Sequence, residues 1–547
     1  MHLRLFPWAA ACSLCLLATY ALVAQNHEHA PAFDSIREVD LRTDTAFLSA
    51  DGMRGRRANT DGNRLAGEFI AERFARLELT PVANGRYLMP FTLVAPALGT
   101  RDGNRLSWNG GSDETAETFA LGRDFFPQRF SATAEAQGAV VFAGFGIASA
   151  RLDHDDYGTY DVAGKVVLIL NHEPGEFDID SPFDGTDPSE FARSVRKALE
   201  AEQRGAVAVL FATDAHNHEV AATLTSSMDG TWPAPPRREP RYELGAWAER
   251  LTIPAVRIST GVAERIVSGT GATLSALGTI ADSGNFKPIE LDAVVSVVTS
   301  VARDRVLLHN VVGLIEGADA ALRNEWVIVG AHFDHEGVTE TRIFNGADDN
   351  ASGVAGILEM ADAFTIAART GRRPKRSVLF AAWNAEERGL LGAWAYTEQP
   401  LAPLADTVAV INLDMIGRDE EVPARGGQRF RGLLPQTATS NRNAVNILGY
   451  SYSNDLRQAI SAANVVDLTI RFRYDRNRSN LVRRSDHWPF LARGVPALFV
   501  HTGLHPDYHT ERDSADKLNY EKMTRIVQLA YQLSWDLANA ERRPALN

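Results

Sequence analysis

The chain has 547 residues, 45% hydrophobic and 23% charged, with a formal net charge of −13. That length exceeds what one hydrophobic core organises and points to roughly two to four units of about 150 residues each. An acidic balance without a long Lys/Arg run excludes the basic face of a nucleic-acid binder.

Residues 1–24, "MHLRLFPWAAACSLCLLATYALVA", read as an export signal. Arg4 supplies the positive end, an apolar run follows, and Ala21-Leu22-Val23-Ala24 offers the small residues that a signal peptidase reads. A retained anchor is the alternative, but the run is barely long enough to span and Gln25 follows it at once. The expectation is cleavage after Ala24 and release to the periplasm or the exterior, without stable membrane insertion. No later segment reads as long and apolar enough to span. Both cysteines, Cys12 and Cys15, lie inside this signal. The processed chain would hold any metal through His, Asp and Glu alone.

After the signal comes an amphipathic helix, "DGNRLAGEFIAERFARLEL", with a stripe at Leu65, Phe69, Ile70, Phe74 and Leu77. The strand "GRYLMPFTLV" follows. From about residue 130 the texture changes to short β-branched runs opened by Gly or Pro: "GAVVFAGFGI", "GKVVLIL", "GAVAVLFATD" and "IPAVRIS". Between them lies one helical pattern, "SEFARSVRKALEAEQRG". This module reads as a small α/β unit without a cluster of catalytic groups.

From about residue 290 the pattern becomes apolar strands ending in polar residues, alternating with helices. Near-continuous apolar strands of this kind indicate a mostly parallel sheet sandwiched by helices, an α/β fold. Its last helix carries Met523, Ile526, Val527, Ala530, Leu533 and Leu537 on one stripe. Open α/β sheets bind ligands at the carboxyl ends of their strands. Those ends deliver His332 and Asp334, then Glu386 and Glu387, then Asp414, then His501, His505 and His509. Asp348 and Asp349 precede a helix start.

Each feature alone has an ordinary explanation as a cap, a turn or a solvated pair. Collected at one sheet edge, the carboxylates would repel one another strongly unless cations sat among them. A bridging Asp, two further carboxylates and two histidines suffice for two metals, and this donor set suits zinc. Asp334, two residues after His332, is placed to accept that ring's other N–H. Of the neighbouring Glu386 and Glu387, one is expected to bind metal and the other to act as general base.

These residues resemble the secreted co-catalytic zinc aminopeptidases, the family related to bacterial leucyl aminopeptidases and to glutamate carboxypeptidase. The resemblance is carried by "AHFDH", "GADDNASG", "NAEERGLLG", "NLDMIG" and "YHTERD", over about residues 290–535 and the N-terminal segment. It implies two zinc ions held by His332, Glu387, Asp414 and His509 with Asp349 bridging. It also implies Glu386 as general base, Asp334 behind His332, Tyr508 at the substrate carbonyl, and a cis peptide at Asp349–Asn350. His487 is the alternative to His509 that spacing leaves open. Residues 130–285 resemble an inserted β-rich protease-associated domain. That assigns 25–129 to the N-terminal part of the peptidase domain and 286–547 to its catalytic part.

The implied activity is removal of N-terminal residues from peptides with a free N-terminus. The alternatives are a carboxypeptidase or dipeptidase of the same family, a single-zinc glutaminyl cyclase, and a non-catalytic binding protein.

Overall fold

A computed structural model describes residues 29–109, 116–186, 188–219, 223–232, 241–284 and 286–547. The export signal expected at 1–24 lies outside the described residues. The main sheet has nine strands. Its centre is four parallel strands in the spatial order Ser377–Trp383, Trp326–His332, Thr407–Leu413 and Ala497–His501. Nearly every residue of these four is buried, as a sheet covered on both faces requires.

Antiparallel strands extend the sheet at both edges. Val301–Ile315 pairs with Ser377–Trp383, and Leu88–Leu98 pairs along its whole length with Val301–Ile315. On the far side Ala444–Leu448 runs antiparallel to Ala497–His501. The architecture is mixed α/β, as the strand pattern predicts.

One face is covered by helices Glu38–Leu48, Asp61–Arg76, Gly353–Arg369 and Tyr520–Asn539. The stripe predicted for the last helix is buried throughout. For Asp61–Arg76 the predicted stripe holds at Ile70 and Phe74, which are fully buried, and at Phe69 and Leu77, which are partly buried against the core; Leu65 is 42% exposed, and Ala66 takes the core position beside it. Phe69 also meets Phe47, their ring centroids 4.4 Å apart. The segment Ala347–Arg369 is long and apolar enough to cross a membrane, contrary to the sequence expectation, but 83% of its apolar window is buried inside the protein. A core helix flanked by a sheet and other helices has no polar face to display.

The second sheet has eight strands. Its middle is the parallel set Ala134–Phe142, Val166–Leu170, Ala208–Ala212 and Ala255–Ile258. It also takes Arg105–Asn109, Phe125–Pro127 and Ile289–Thr299, so its strands extend beyond 130–285 on both sides. Residues 105–127 carry no β-branched run to mark them in the sequence.

The helix Gly353–Arg369 buries Glu359, whose Oε2 accepts the backbone N–H of Arg37 at 3.4 Å. Burial, with Asp40 nearby, pushes this carboxyl up to about 8. An acid raised in the folded state is fully protonated in both states below its unfolded value, and the fold loses stability as pH rises from there to the folded value. Glu359→Gln keeps the neutral form at every pH. It is expected to raise the melting temperature by roughly 2–4 °C at pH 8.5 and leave it unchanged at pH 4. Thermal unfolding at the two pH values checks this.

Candidate metal centre

The carboxyl ends of the four parallel strands converge, and the loops leaving them carry the acids and histidines. His332 is the last residue of its strand and is buried. Its Nδ1 lies 3.1 Å from the Asp334 carbonyl oxygen, which leaves Nε2 free to face inward. That Nε2 is 3.3 Å from Asp349 Oδ1 and 3.3 Å from Asp414 Oδ1. On the other side of Asp349, Oδ2 is 3.0 Å from His509 Nε2, which is itself 3.3 Å from Glu387 Oε2. One carboxylate therefore sends its two oxygens into two different His–carboxylate groups.

Those separations fit a metal. Nitrogen and oxygen ligands held about 2.0–2.1 Å from zinc at a tetrahedral angle lie about 3.3 Å from each other. His332 Nε2 and Asp414 Oδ1 are buried without a hydrogen-bond partner, as atoms reserved for a cation would be. The electrostatics agree. Burial opposes a charged imidazole at His509, yet Glu387 and Asp349 outweigh it and raise the ring to about 11. His332 is raised well above its ordinary value in the same way by Glu386 and Asp414. Protons on these rings compensate charge that a metal ion would otherwise compensate.

The turn Ala347–Ser352 presents Asp349, and the Asp349–Asn350 peptide is cis, as the resemblance implies. Asp513 accepts the backbone N–H groups of both Asp348 and Asp349 at 3.0–3.1 Å. Asp348 is directed away from the paired groups. Its Oδ1 accepts the Gly417 N–H at 2.6 Å and its Oδ2 faces His505 at 3.3 Å. Gly353 begins the helix beneath, where a Cβ would lie 2.4 Å from the Leu413 carbonyl oxygen.

Asp334 is placed differently from the expectation. Its carboxylate stands 3.9 Å from His332 Nδ1 and instead accepts the backbone N–H of Glu386 at 2.9 Å and of Glu387 at 3.3 Å. With only one residue between them, the Asp334 carbonyl reaches the ring and the side chain turns to the next loop. Its role in the geometry is to set the two glutamates. Glu387 then faces His509, while Glu386 Oε2 stays 3.9 Å from His332 Nε2. Burial pushes the Glu386 carboxyl well above the ordinary carboxylate value; His332 opposes this, and Glu387, Asp486 and Asp414 add to it.

Tyr508 lines the same cleft with Met415, Leu481, Phe499 and Leu504. Its hydroxyl oxygen accepts from Arg484 at 3.0 Å, so its own hydrogen remains available. His487 lies apart, buried against Phe499 and outside the metal-competent groups formed by the described residues. His501 Nδ1 is 2.9 Å from the Asp414 carbonyl oxygen.

Several neighbours carried no assigned role in the sequence. His335 Nδ1 lies 2.8 Å from Glu387 Oε1, turning Oε2 toward His509. Ser485 donates to Asp414 Oδ2 at 2.6 Å, leaving Oδ1 toward His332. Arg56, fully buried, donates to the carbonyls of Phe333 and Gly346, both at 2.9 Å. His335 stands inside "AHFDH" and could have been suspected; Arg56 could not, because carbonyl acceptors leave no side-chain pattern.

Residues 310–534 match the model of peptidase family M28. That segment belongs to peptidase family M28. Mouse "Aminopeptidase NAALADL1" is 41% identical over 221 residues, covering 38% of this chain and 28% of the relative. "Probable glutamate carboxypeptidase AMP1" of Arabidopsis thaliana is 29% identical over 217 residues, covering 38% and 27%. The chain thus spans less than a third of either relative's length. Among solved structures, an aminopeptidase from Aneurinibacillus sp. strain AM-1 aligns over 94% of this chain and 96% of its own, at 18% identity and a TM-score of 0.43. The matched segment contains all eight residues predicted for the site: His332, Asp334, Asp349, Glu386, Glu387, Asp414, Tyr508 and His509.

Asp513→Ala would leave two buried N–H groups of the M28 turn unpaired, at about 1–3 kcal/mol each. The variant is expected to melt several degrees lower and to bind zinc more weakly, although Asp513 bonds the backbone of the turn and not the donor atoms of Asp349. Calorimetry and zinc titration check the two effects.

Proposed function

We propose that this protein is an exported di-zinc metallopeptidase of the M28 type that releases N-terminal residues from peptides. The observation that carries the reading is Asp349, with Oδ1 beside His332, which also faces Asp414, and Oδ2 beside His509, which also faces Glu387. In this reading His332, Asp349 and Asp414 hold one zinc, and Asp349, Glu387 and His509 hold the other. When bound, the metals supply Lewis acidity and lower the pKa of water.

Glu386 lies within metal-binding reach of His332 and Asp414, but its Oε2 stands 3.9 Å from His332 Nε2, further off than Asp414 or Asp349, and in this reading it is the base. Its carboxylate removes a proton from the attacking water and returns it to the leaving amine. Asp334 keeps it in place through the backbone N–H bonds. Tyr508 donates its hydroxyl hydrogen to the scissile carbonyl oxygen, while Arg484 holds the hydroxyl from behind. The apolar walls Met415, Leu481, Phe499 and Leu504 favour an apolar side chain in the cleft. The 1–24 pattern supports export. The second sheet reads as a protease-associated lid; its Asp184 accepts from Arg483, the neighbour of Arg484, at 2.9 Å.

Glu386→Ala is expected to lower kcat by about 10²–10⁴-fold while zinc content stays at the wild-type level. Tyr508→Phe should lower kcat by about 10-fold or more with KM little changed. Asp349→Ala should empty both seats and His509→Ala only one, read by elemental analysis. A panel of free and N-blocked peptides, with and without chelator, decides the direction of attack. Chelator-sensitive cleavage of free peptides alone supports the proposal, and cleavage of blocked peptides from the carboxyl end would overturn it.

A further inference from the structure

The second sheet was expected to carry no cluster of catalytic groups, and what the structure gathers there is a set of metal-competent side chains. Its parallel strands Val166–Leu170 and Ala208–Ala212 lie side by side, and the loops leaving their carboxyl ends bring four metal-competent residues together. His172, Glu176, Asp214 and His218 each offer one atom, all within 4.8 Å of one another. These residues are distant in sequence from the M28 segment, and no part of the reading above uses them.

Three features favour a bound cation over a chance ion pair. The first is convergence. His218 Nε2 lies 2.6 Å from Glu176 Oε1, and His172 Nδ1 lies 3.4 Å from Glu176 Oε2, with the two imidazole rings 4.2 Å apart. Two rings this close, both aimed at one carboxylate, would repel if both carried protons. A shared metal lets both stay neutral and close.

The second is a deeply buried acid. Asp214 is fully buried with His216 Nδ1 against its Oδ1, and His172 Nδ1 makes no hydrogen bond shorter than its 3.4 Å approach to Glu176 Oε2. A carboxylate this deep is costly without compensating positive charge beside it.

The third is that the loops are built before any ligand arrives. Asn171 Nδ2 donates to the Ala212 carbonyl at 2.7 Å and ties the two loop bases together. Lys197, buried, donates to the Leu170 carbonyl at 2.9 Å and also to that of His172. Gly175 N–H donates to Asp282 Oδ1 at 2.7 Å, which holds the turn before Glu176. His216 packs against Asp214 and orients its carboxylate, as a neighbour of a ligating acid does. The side chains left adjustable are the rings, His172 being 43% exposed and His218 32%. Rotation of these rings is the adjustment a cation would need to bring atoms now within 4.8 Å to the roughly 3.3 Å separations of a tetrahedral site.

We propose that His172, Glu176, Asp214 and His218 form a third divalent-metal site, of the zinc class, that clamps the two loops of the second sheet. Two imidazoles and two carboxylates without cysteine are a donor set for zinc and for its neighbours cobalt and manganese. The site is structural in position: all four residues belong to the protein, and the clamped loop continues to Asp184, which meets Arg483 beside the M28 cleft. Metal at this site therefore steadies the contact between the two sheets.

The test counts metal on the full chain. Apoprotein is reloaded with Zn²⁺, desalted and analysed, for wild type, for His172→Ala/His218→Ala, and for Asp349→Ala/His509→Ala. The double variant of the second sheet is expected to hold one zinc fewer than wild type. The Asp349→Ala/His509→Ala protein should keep one zinc, and Co²⁺ there should give visible d–d absorption that disappears when His172 and His218 are also replaced. Equal zinc in wild type and His172→Ala/His218→Ala would overturn the site. If that variant does not fold, the isosteric Glu176→Gln/Asp214→Asn protein decides by the same count. The result is separable from the di-zinc reading, because each variant empties only its own seats.

Discussion

The structure depends on bringing several carboxylates and imidazoles to one point without water to screen them. Asp349 sits at that point with Oδ1 facing His332 and Oδ2 facing His509, and each of those histidines also faces a second acid, Asp414 or Glu387. Buried carboxylates in such proximity destabilise one another unless positive charge lies between them. Everything around the cluster serves to hold it against that repulsion. The four parallel strands supply rigidity, since each ends where a ligand-bearing residue or loop begins.

Behind the paired groups lies a layer that fixes their orientation through the backbone. Asp513 holds the turn of Asp348 and Asp349, Asp334 holds the two glutamates, and Arg56 binds carbonyls on either side. Each of these charges meets backbone groups whose partners would otherwise be missing. Such a layer keeps side chains in one rotamer, which matters because a site's ligands must be in place before a cation arrives. Within neighbouring pairs the division of labour follows from geometry. Asp348 is turned to Gly417 and His505 while Asp349 faces the cluster, and Glu387 meets His509 while Glu386 stays apart.

Much of this was legible in the chain. Apolar runs ending in polar residues located the parallel strands, because a strand buried on both faces has no alternation to confuse with anything else. A pool of acids and histidines containing His332, Asp349, Glu386, Glu387, Asp414 and His509 was readable because such residues at strand ends have few structural uses in combination; the family resemblance narrowed it to five. What was not legible shared one property. Arg56, Ser485 and the true partners of Asp334 act on backbone atoms or across long sequence separations. The cluster at His172 and His218 escaped notice for the same reason: its members come from two loops about forty residues apart, and neither loop alone has a motif.

The sequence by itself determined the chemistry: which donors are present, that none of them is cysteine in the described chain, and that strand ends would present them. Local pattern suffices there, because burial of a strand and the polarity of its end are set by neighbouring residues. Only the tertiary structure decided which oxygen faces which ring, which glutamate meets His509, and that a second set of donors assembles on the other sheet. Those outcomes depend on how strands far apart in the chain are placed side by side, and no short-range pattern carries that placement.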